Sequence, residues 1–312
     1  MYNFYIQSKS SFQSLSLMSN GLIQLTSAEI KHKINHQKLF GVDDLFEYLF
    51  KFCQICLTAD QKQIDNFSYY NLTPSVLLYG VPNTGKTTLC YSLFDKLKQE
   101  ITNEINFYYV DVGRMLDPAL GQSSRNIGDI FDDLKSKCKN GSSVFLLLDE
   151  LDTFCMSRSR TQEHDAIRRA MTTLMIELDK LHPSKDRNLL IFGVTNVPEL
   201  LDTAVVRRFS LKKEMQIQIN LDTFNKYLDS LGDIVKFSPS EEIRKQLFEL
   251  YQKRNLTAGD VKNFYKEIYI DFLCKNEGQE ETSVIEKKVI ELFEKGFSTC
   301  EHLVTTKKEL IR

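Results

Sequence analysis

The sequence is short of most features that would place it in a special class at once. It has almost no net charge: Lys+Arg 40 against Asp+Glu 42 leaves −2. That balance argues against a general DNA coat, although a local basic patch is compatible with it. No apolar run approaches the roughly 20 residues that a membrane span requires. The longest are of the kind Val144-Phe145-Leu146-Leu147-Leu148. The first residues, MYNFYIQSKSSFQSLSLMSNG, show no basic stretch followed by a long apolar block, so no secretory signal is read and a cytoplasmic location is expected. A disulfide framework is also missing, because the seven cysteines are odd in number and scattered. Cys53 and Cys56 form a C-x-x-C without a second pair or a spaced histidine. They read instead as small apolar residues on a helix that also carries Leu45, Tyr48, Leu49 and Phe52.

What remains is ordinary globular material, 42% hydrophobic and 26% charged over 312 residues, enough for one large domain or two ordinary ones. Residues 1–37 read as a leader, loose and Ser- and Asn-rich through residue 26, then a short helix opening at Ser27. Gly41 breaks that helix, and another covers 43–57. From residue 75 strands and helices alternate. The strands are expected at Ser75–Tyr79, Asn106–Val112, Ser143–Asp149, Leu189–Val194 and Lys213–Ile219. Helices are expected at Lys86–Glu100, Ser123–Lys139 and His164–Leu181, with a short one near Leu201–Arg207. Such alternation predicts an α/β fold, a parallel sheet flanked by helices, over residues 38–220. Residues 221–312 carry only helical periods (222–231, 240–253, 258–275, 284–297), punctuated by Gly232 and Lys236–Pro239, and form a small helical domain with a tail.

Gly80-Val81-Pro82-Asn83-Thr84-Gly85-Lys86-Thr87 matches G-x-x-x-x-G-K-[ST] between an expected strand and an expected helix. In that setting backbone N–H groups wrap phosphates and the helix N-terminus adds partial positive charge. Pro82, Asn83, Thr84, Gly85, Lys86, Thr87 and Thr88 are therefore the expected nucleotide contacts. Lys86 brings a cation to the β- and γ-phosphates, and the Thr87 hydroxyl is a Mg²⁺ ligand. Asn83 stands where Gly is common, and Asn tolerates left-handed backbone better than other non-Gly residues. The strand Val144–Leu148 ends in Asp149-Glu150, at the edge where open parallel sheets bind ligands. Asp149 is expected to hold hydrated Mg²⁺ and Glu150 to polarise the attacking water. Asn196, after the next strand, offers an amide to γ-phosphate and water. Arg207 and Arg208 are either a solvated pair or a source of transition-state charge.

These elements, in this order, resemble the AAA family of ring-forming ATPases over roughly residues 38–275. LFGVDDLFEYL is similar to the family's opening segment, GVPNTGKT to Walker A, VFLLLDELD to Walker B, GVTNVPELLDTAVVRRF to the stretch from first sensor to arginine fingers, and LTAGDVKNFYKEI to the lid helix. The resemblance implies ATP and Mg²⁺ as cofactors. It makes Asn196 the sensor, and Arg207 and Arg208 fingers acting on a neighbouring subunit's nucleotide. It places Gly41 and Val42, and Ala258 and Gly259, near the adenine base. It also implies a homo-oligomer, a hexamer, since an arginine acting in trans requires a partner.

Relatives that thread polypeptide carry an aromatic on a pore loop, and the matching stretch Met115–Gln122 has none, with Ala119 at that place. A second loop, Ser157–His164, brings basic side chains to the same region, ahead of Arg168 and Arg169. TTLCYSL and HDAIRRAMTTLMIELD also resemble AAA proteins that remodel HORMA-domain partners. The arginine pair followed by Phe resembles the general bacterial type instead. The roughly 40 residues ahead of the core also leave little room for the larger recognition domain of the HORMA branch. The expected function is an ATP-hydrolysing ring that remodels a protein partner. A DNA-associated ATPase of clamp-loader or initiator type is the alternative, disfavoured by the charge balance. A non-hydrolysing switch would not need the acids, the amide and the arginines together.

Overall fold

The computed structural model describes residues 21–35, 37, 39–101, 104–110, 122–139, 142–153, 161–217, 219–275 and 282–295. The elements run β1 (Leu22–Leu25), α1 (Ser27–Asn35), α2 (Asp43–Thr58), α3 (Gln61–Tyr69), β2 (Ser75–Tyr79), α4 (Lys86–Glu100), β3 (Ile105–Val110), α5 (Gln122–Lys139), β4 (Ser143–Leu148), α6 (Thr161–Asp179), β5 (Leu189–Thr195), α7 (Thr203–Arg208), β6 (Leu211–Glu214), α8 (Leu221–Val235), α9 (Glu241–Lys253), α10 (Ala258–Lys275) and α11 (Thr282–Lys295). Among the described residues no helix is long and apolar enough to cross a membrane.

Every position of β4 and β5 is buried, the pattern of strands covered on both faces. The strand order is β1-β3-β4-β5-β2-β6. All pairings are parallel except β1 with β3. A row of aromatics crosses the sheet: Phe107 stacks on Phe145 at 5.2 Å and Phe145 on Phe192 at 4.6 Å. Phe94 of α4 meets Phe107 edge-on at 5.2 Å, which seats the helix after the phosphate loop on the sheet.

The chain folds as two units. One holds the described residues up to Leu39 and Asp43–Gln216; the other holds Phe40–Val42 and those from Ile217 onward. The second unit has its own apolar core, with Phe224, Leu228, Leu247, Val261, Phe264, Val289 and Phe293 all buried.

Three elements depart from the expectation. β1 lies inside the stretch read as loose; its four residues are too few to show a period, and antiparallel pairing to β3 holds them. α3 buries none of its residues, so it has no apolar period to find, and its start is fixed by a capping box between Asp60 and Gln63. β6 covers Leu211–Glu214 rather than 213–219, because Ile217 and Ile219 belong to the core of the helical unit. Gly232 also does not end its helix, which runs on to Val235. The glycine is required there because the Phe237 carbonyl packs where a Cβ would lie.

Candidate functional site

Parallel pairing brings the C-terminal ends of β2, β4 and β5 to one edge of the sheet, with β5 between the other two. Tyr79 is level with Thr195, and Leu148 with Gly193. The loop after β2, the acids after β4 and Asn196 after β5 therefore share that edge, as the sequence predicts.

The loop is shaped by three residues in positive-φ conformations: Gly80 at 140°, Asn83 at 63° and Gly85 at 92°. Asn83 thus adopts the left-handed backbone its side chain tolerates. Gly85 is the N-cap of α4 and supplies no side-chain hydrogen bond to the helix start, so the first-turn N–H groups carry no side-chain cap. Leu39 packs close to Gly85, where a Cβ would come within 2.6 Å of its Cδ2. Pro82 is exposed, and Thr84 is buried with its hydroxyl donating to the Val81 carbonyl at 3.0 Å.

Lys86 is 4% exposed. Its Nζ donates to the carbonyls of Gly80 and Val81 at 2.9 and 2.7 Å and to Thr84 Oγ1 at 3.3 Å. Burial pulls its pKa below the usual lysine value, while Asp149 and Asp152 act in the opposite sense. Thr87 Oγ1 donates to Asp149 Oδ2 at 2.8 Å, so the two expected metal ligands sit side by side. Burial pushes the Asp149 pKa up; the bonds from Thr87 and the Glu150 amide, with the charge of Lys86, oppose this. Thr88 is also buried, and its hydroxyl donates to Gln37 Oε1 at 2.6 Å.

Glu150 is exposed and has φ 53°, a strained backbone for a non-glycine residue. Its amide donates to Asp149 Oδ1 at 2.9 Å, and its carboxylate has no hydrogen-bond partner among the described residues. The Asn196 amide likewise makes no side-chain hydrogen bond among them. A buried ammonium inside the loop, an uncapped helix start, an oxygen pair at Thr87 and Asp149, and an uncommitted carboxylate and amide fit a magnesium-bound triphosphate chemically.

The other predicted residues are carried by other elements. Gly41, at φ 69°, and the buried Val42 belong to the helical unit with Ala258 and Gly259. Phe40 packs on Tyr227 at 4.6 Å, and the Tyr227 hydroxyl donates to the Ala258 carbonyl at 2.6 Å, which ties the two predicted base-contact segments to one side chain. Arg207 and Arg208 sit at the end of α7, just ahead of β6. Arg208 donates to Asp179 at 2.8 Å and to the Ala204 carbonyl at 2.7 Å, whereas Arg207 is exposed and has no such partner among the described residues. Ser210 bonds Thr73 and Ser75, and the arginines line a cleft of about 510 Å³ with Tyr70 and Thr73. The pair thus stands at the N-terminal end of β2, a strand of five residues or roughly 17 Å away from the loop at its other end. The two central loops, at 115–121 and 157–160, lie outside the described residues.

The sequence pattern does not single out Asp152. It is 8% exposed, and its Oδ1 accepts from Thr195 Oγ1 at 2.8 Å and from the Asn196 backbone N–H at 3.3 Å. The available signal is its position two residues beyond Glu150. Gln37 is missed as well, and nothing local distinguishes it.

A glycine-bent loop between strand and helix, beside acids on a neighbouring strand of a parallel sheet, defines a P-loop nucleotide-binding protein. Residues 76–217 match the family model described as "ATPase family associated with various cellular activities (AAA)". The chain is 27% identical over 233 residues to a Corynebacterium glutamicum "AAA ATPase forming ring-shaped complexes", covering 71% of this chain and 42% of that protein. It is 30% identical over 198 residues to Saccharomyces cerevisiae "Pachytene checkpoint protein 2", covering 55% of this chain and 35% of that one. It thus spans about two fifths of the length of these curated relatives. A chain in the structure of the Escherichia coli MS115-1 HORMA:CdnC:Trip13 complex shares the fold at TM-score 0.68 and 18% identity, over 88% of this chain and 94% of that one. Residues 76–217 thus form an AAA ATPase domain by their match to that family model.

Proposed function

We propose that the chain is an ATP-hydrolysing subunit of a homo-oligomeric ring, a hexamer, located in the cytoplasm, which couples hydrolysis to the remodelling of a protein partner. The observation that carries this reading is the distance of the arginine pair from the loop. A side chain anchored at the far end of β2 does not reach its own chain's phosphates, so Arg207 and Arg208 act on a neighbour's. The ring-forming name of the C. glutamicum relative supports the assembly. The match to a chain solved together with a HORMA protein makes a HORMA-type fold the first partner to test.

In this reading Lys86 leaves the loop carbonyls to hold the β- and γ-phosphates, and the first turn of α4 takes their charge. Bound through Thr87 and Asp149, magnesium would neutralise charge on the transferred phosphoryl group. Glu150 orients and deprotonates the attacking water, and Asn196 donates its amide to water and γ-phosphate. Segments 40–42 and 258–259 contact the base.

Phosphate release by Glu150→Gln tests the core of this account. The variant should bind ATP and assemble but turn over at least about 100-fold more slowly. Parental turnover would remove Glu150 from the mechanism. Held in ATP, the same variant should retain an added HORMA-domain protein on a sizing column, and loss of that retention would refute the HORMA partner alone.

A further inference from the structure

We propose that Asp152 is the positioning residue for Asn196: its carboxylate clamps the tip of β5 and so fixes where the Asn196 amide is presented. The inference rests on the role given to Asn196 above. β5 ends at Thr195, and beyond a strand end the backbone N–H groups lose their ladder partners. Here the next donors converge on one acid. Asp152 Oδ1 takes the Thr195 hydroxyl at 2.8 Å and the Asn196 N–H at 3.3 Å, while Thr195 Oγ1 accepts the Val197 N–H at 3.1 Å. Three consecutive residues are thereby fixed through a single carboxylate. Bonds to an ionised acceptor are shorter and roughly twice as strong as neutral ones. The Asn196 side chain has no hydrogen bond of its own among the described residues, so its backbone alone determines its place. The chain of Asp152 is fixed in turn from the other side, because Leu151 N–H bonds the Val194 carbonyl at 2.9 Å and Thr153 N–H the Glu150 carbonyl at 2.8 Å. The acid that holds β5 is therefore built into the turn that presents Glu150. The clamp keeps the water-orienting carboxylate and the sensor amide in one frame.

The test is steady-state phosphate release by the full chain carrying Asp152→Ala, Asp152→Asn, Asn196→Ala or Asp152→Ala with Asn196→Ala. A misplacement of about 1 Å costs on the order of 100-fold, so Asp152→Ala should lose about that factor in kcat with little change in KM for ATP. Asn at 152 still accepts both hydrogen bonds and should restore most of the rate. The double variant should be no slower than the slower single one. Multiplying losses, a rise in KM with kcat intact, or an Asn variant as slow as the Ala variant would each overturn the clamp. If Asp152→Ala does not fold, Thr195→Val decides, since it removes only the bridging hydroxyl: reduced kcat at parental KM supports the clamp, and parental kcat overturns it. Parental turnover by Asn196→Ala would instead defeat the role of Asn196 itself. A slow Asn196→Ala beside a parental Asp152→Ala would defeat only the clamp.

Discussion

Replacing Gly193 by alanine tests the packing that joins the two halves of the site. Gly193 lies in β5, and a Cβ there would sit 2.7 Å from Leu151 Cδ1, 2.8 Å from Phe209 Cζ and 3.0 Å from Phe209 Cε1. Carbon atoms pack best at about 3.5–4.0 Å, so both neighbours would have to retreat by about 1 Å. Both are fully buried, so the retreat would disturb close-packed neighbours. Overpacking of this kind costs about 1–3 kcal/mol. Against it stands the entropy that alanine removes from the unfolded chain, about 0.4–1 kcal/mol. Overpacking wins, leaving a net loss of about 1–2 kcal/mol. For a unit of this size 1 kcal/mol moves the thermal midpoint by about 2–4 °C, so the midpoint should fall by about 2–8 °C. The effect on catalysis should exceed the effect on binding, because Leu151 follows Glu150 and Phe209 follows Arg208. Differential scanning fluorimetry with a phosphate-release assay reads both. Phe209→Leu in the same chain removes the ring atoms that the new methyl meets and should recover part of the midpoint relative to Phe209→Leu alone. A midpoint at or above the parent would refute the reasoning.

Asp149→Asn should raise the thermal midpoint of the nucleotide-free protein, since burial disfavours the carboxylate, and should abolish the further rise that magnesium and ATP give the parent; a lowered midpoint without nucleotide would count against it. Gly232→Ala should destabilise the helical unit by at least about 2 kcal/mol, because a backbone carbonyl rather than a side chain blocks the added methyl, and far-UV melting would show this as an earlier helical transition. Lys86→Ala and Arg208→Ala proteins, each inactive alone, should recover phosphate release when mixed, as each supplies the half-site that the other lacks; no recovery would refute action on a neighbour's nucleotide, leaving either action within one chain or no arginine finger at all.

The phosphate edge is legible in the sequence because each part is local and bound to a strand end. β2, α4 and α10 begin and end where the pattern puts them, and the loop is a contiguous motif. Asp149, Glu150 and Asn196 can be placed because a run of buried residues names the strand and its last residue names the edge. What cannot be read depends on long-range contact. β1 is a strand only because β3 is beside it. Arg208 is anchored by Asp179, 29 positions earlier, while the adjacent Arg207 is not, and no local pattern separates two neighbouring arginines. Gly232 reads as a helix break, because the sequence does not reveal that the returning chain at Phe237 needs the space.

Several unfavourable terms meet at the phosphate edge and have one remedy. Lys86 is buried, which lowers its pKa; Asp149 is buried, which raises its own. Glu150 occupies left-handed backbone, and the first turn of α4 has no side-chain cap. A sequence optimised for stability alone would avoid all four. An anion in the loop would give the ammonium and the helix start their counter-charge, and a divalent cation would do the same for the carboxylate. The Glu150 backbone gains nothing from either ligand. It leaves the carboxylate without a hydrogen-bond partner among the described residues, which is what the water-orienting role proposed for it would require. Under the proposed mechanism three of the four costs therefore favour binding, and the fourth serves turnover. That division separates an ATPase site from one that only binds nucleotide.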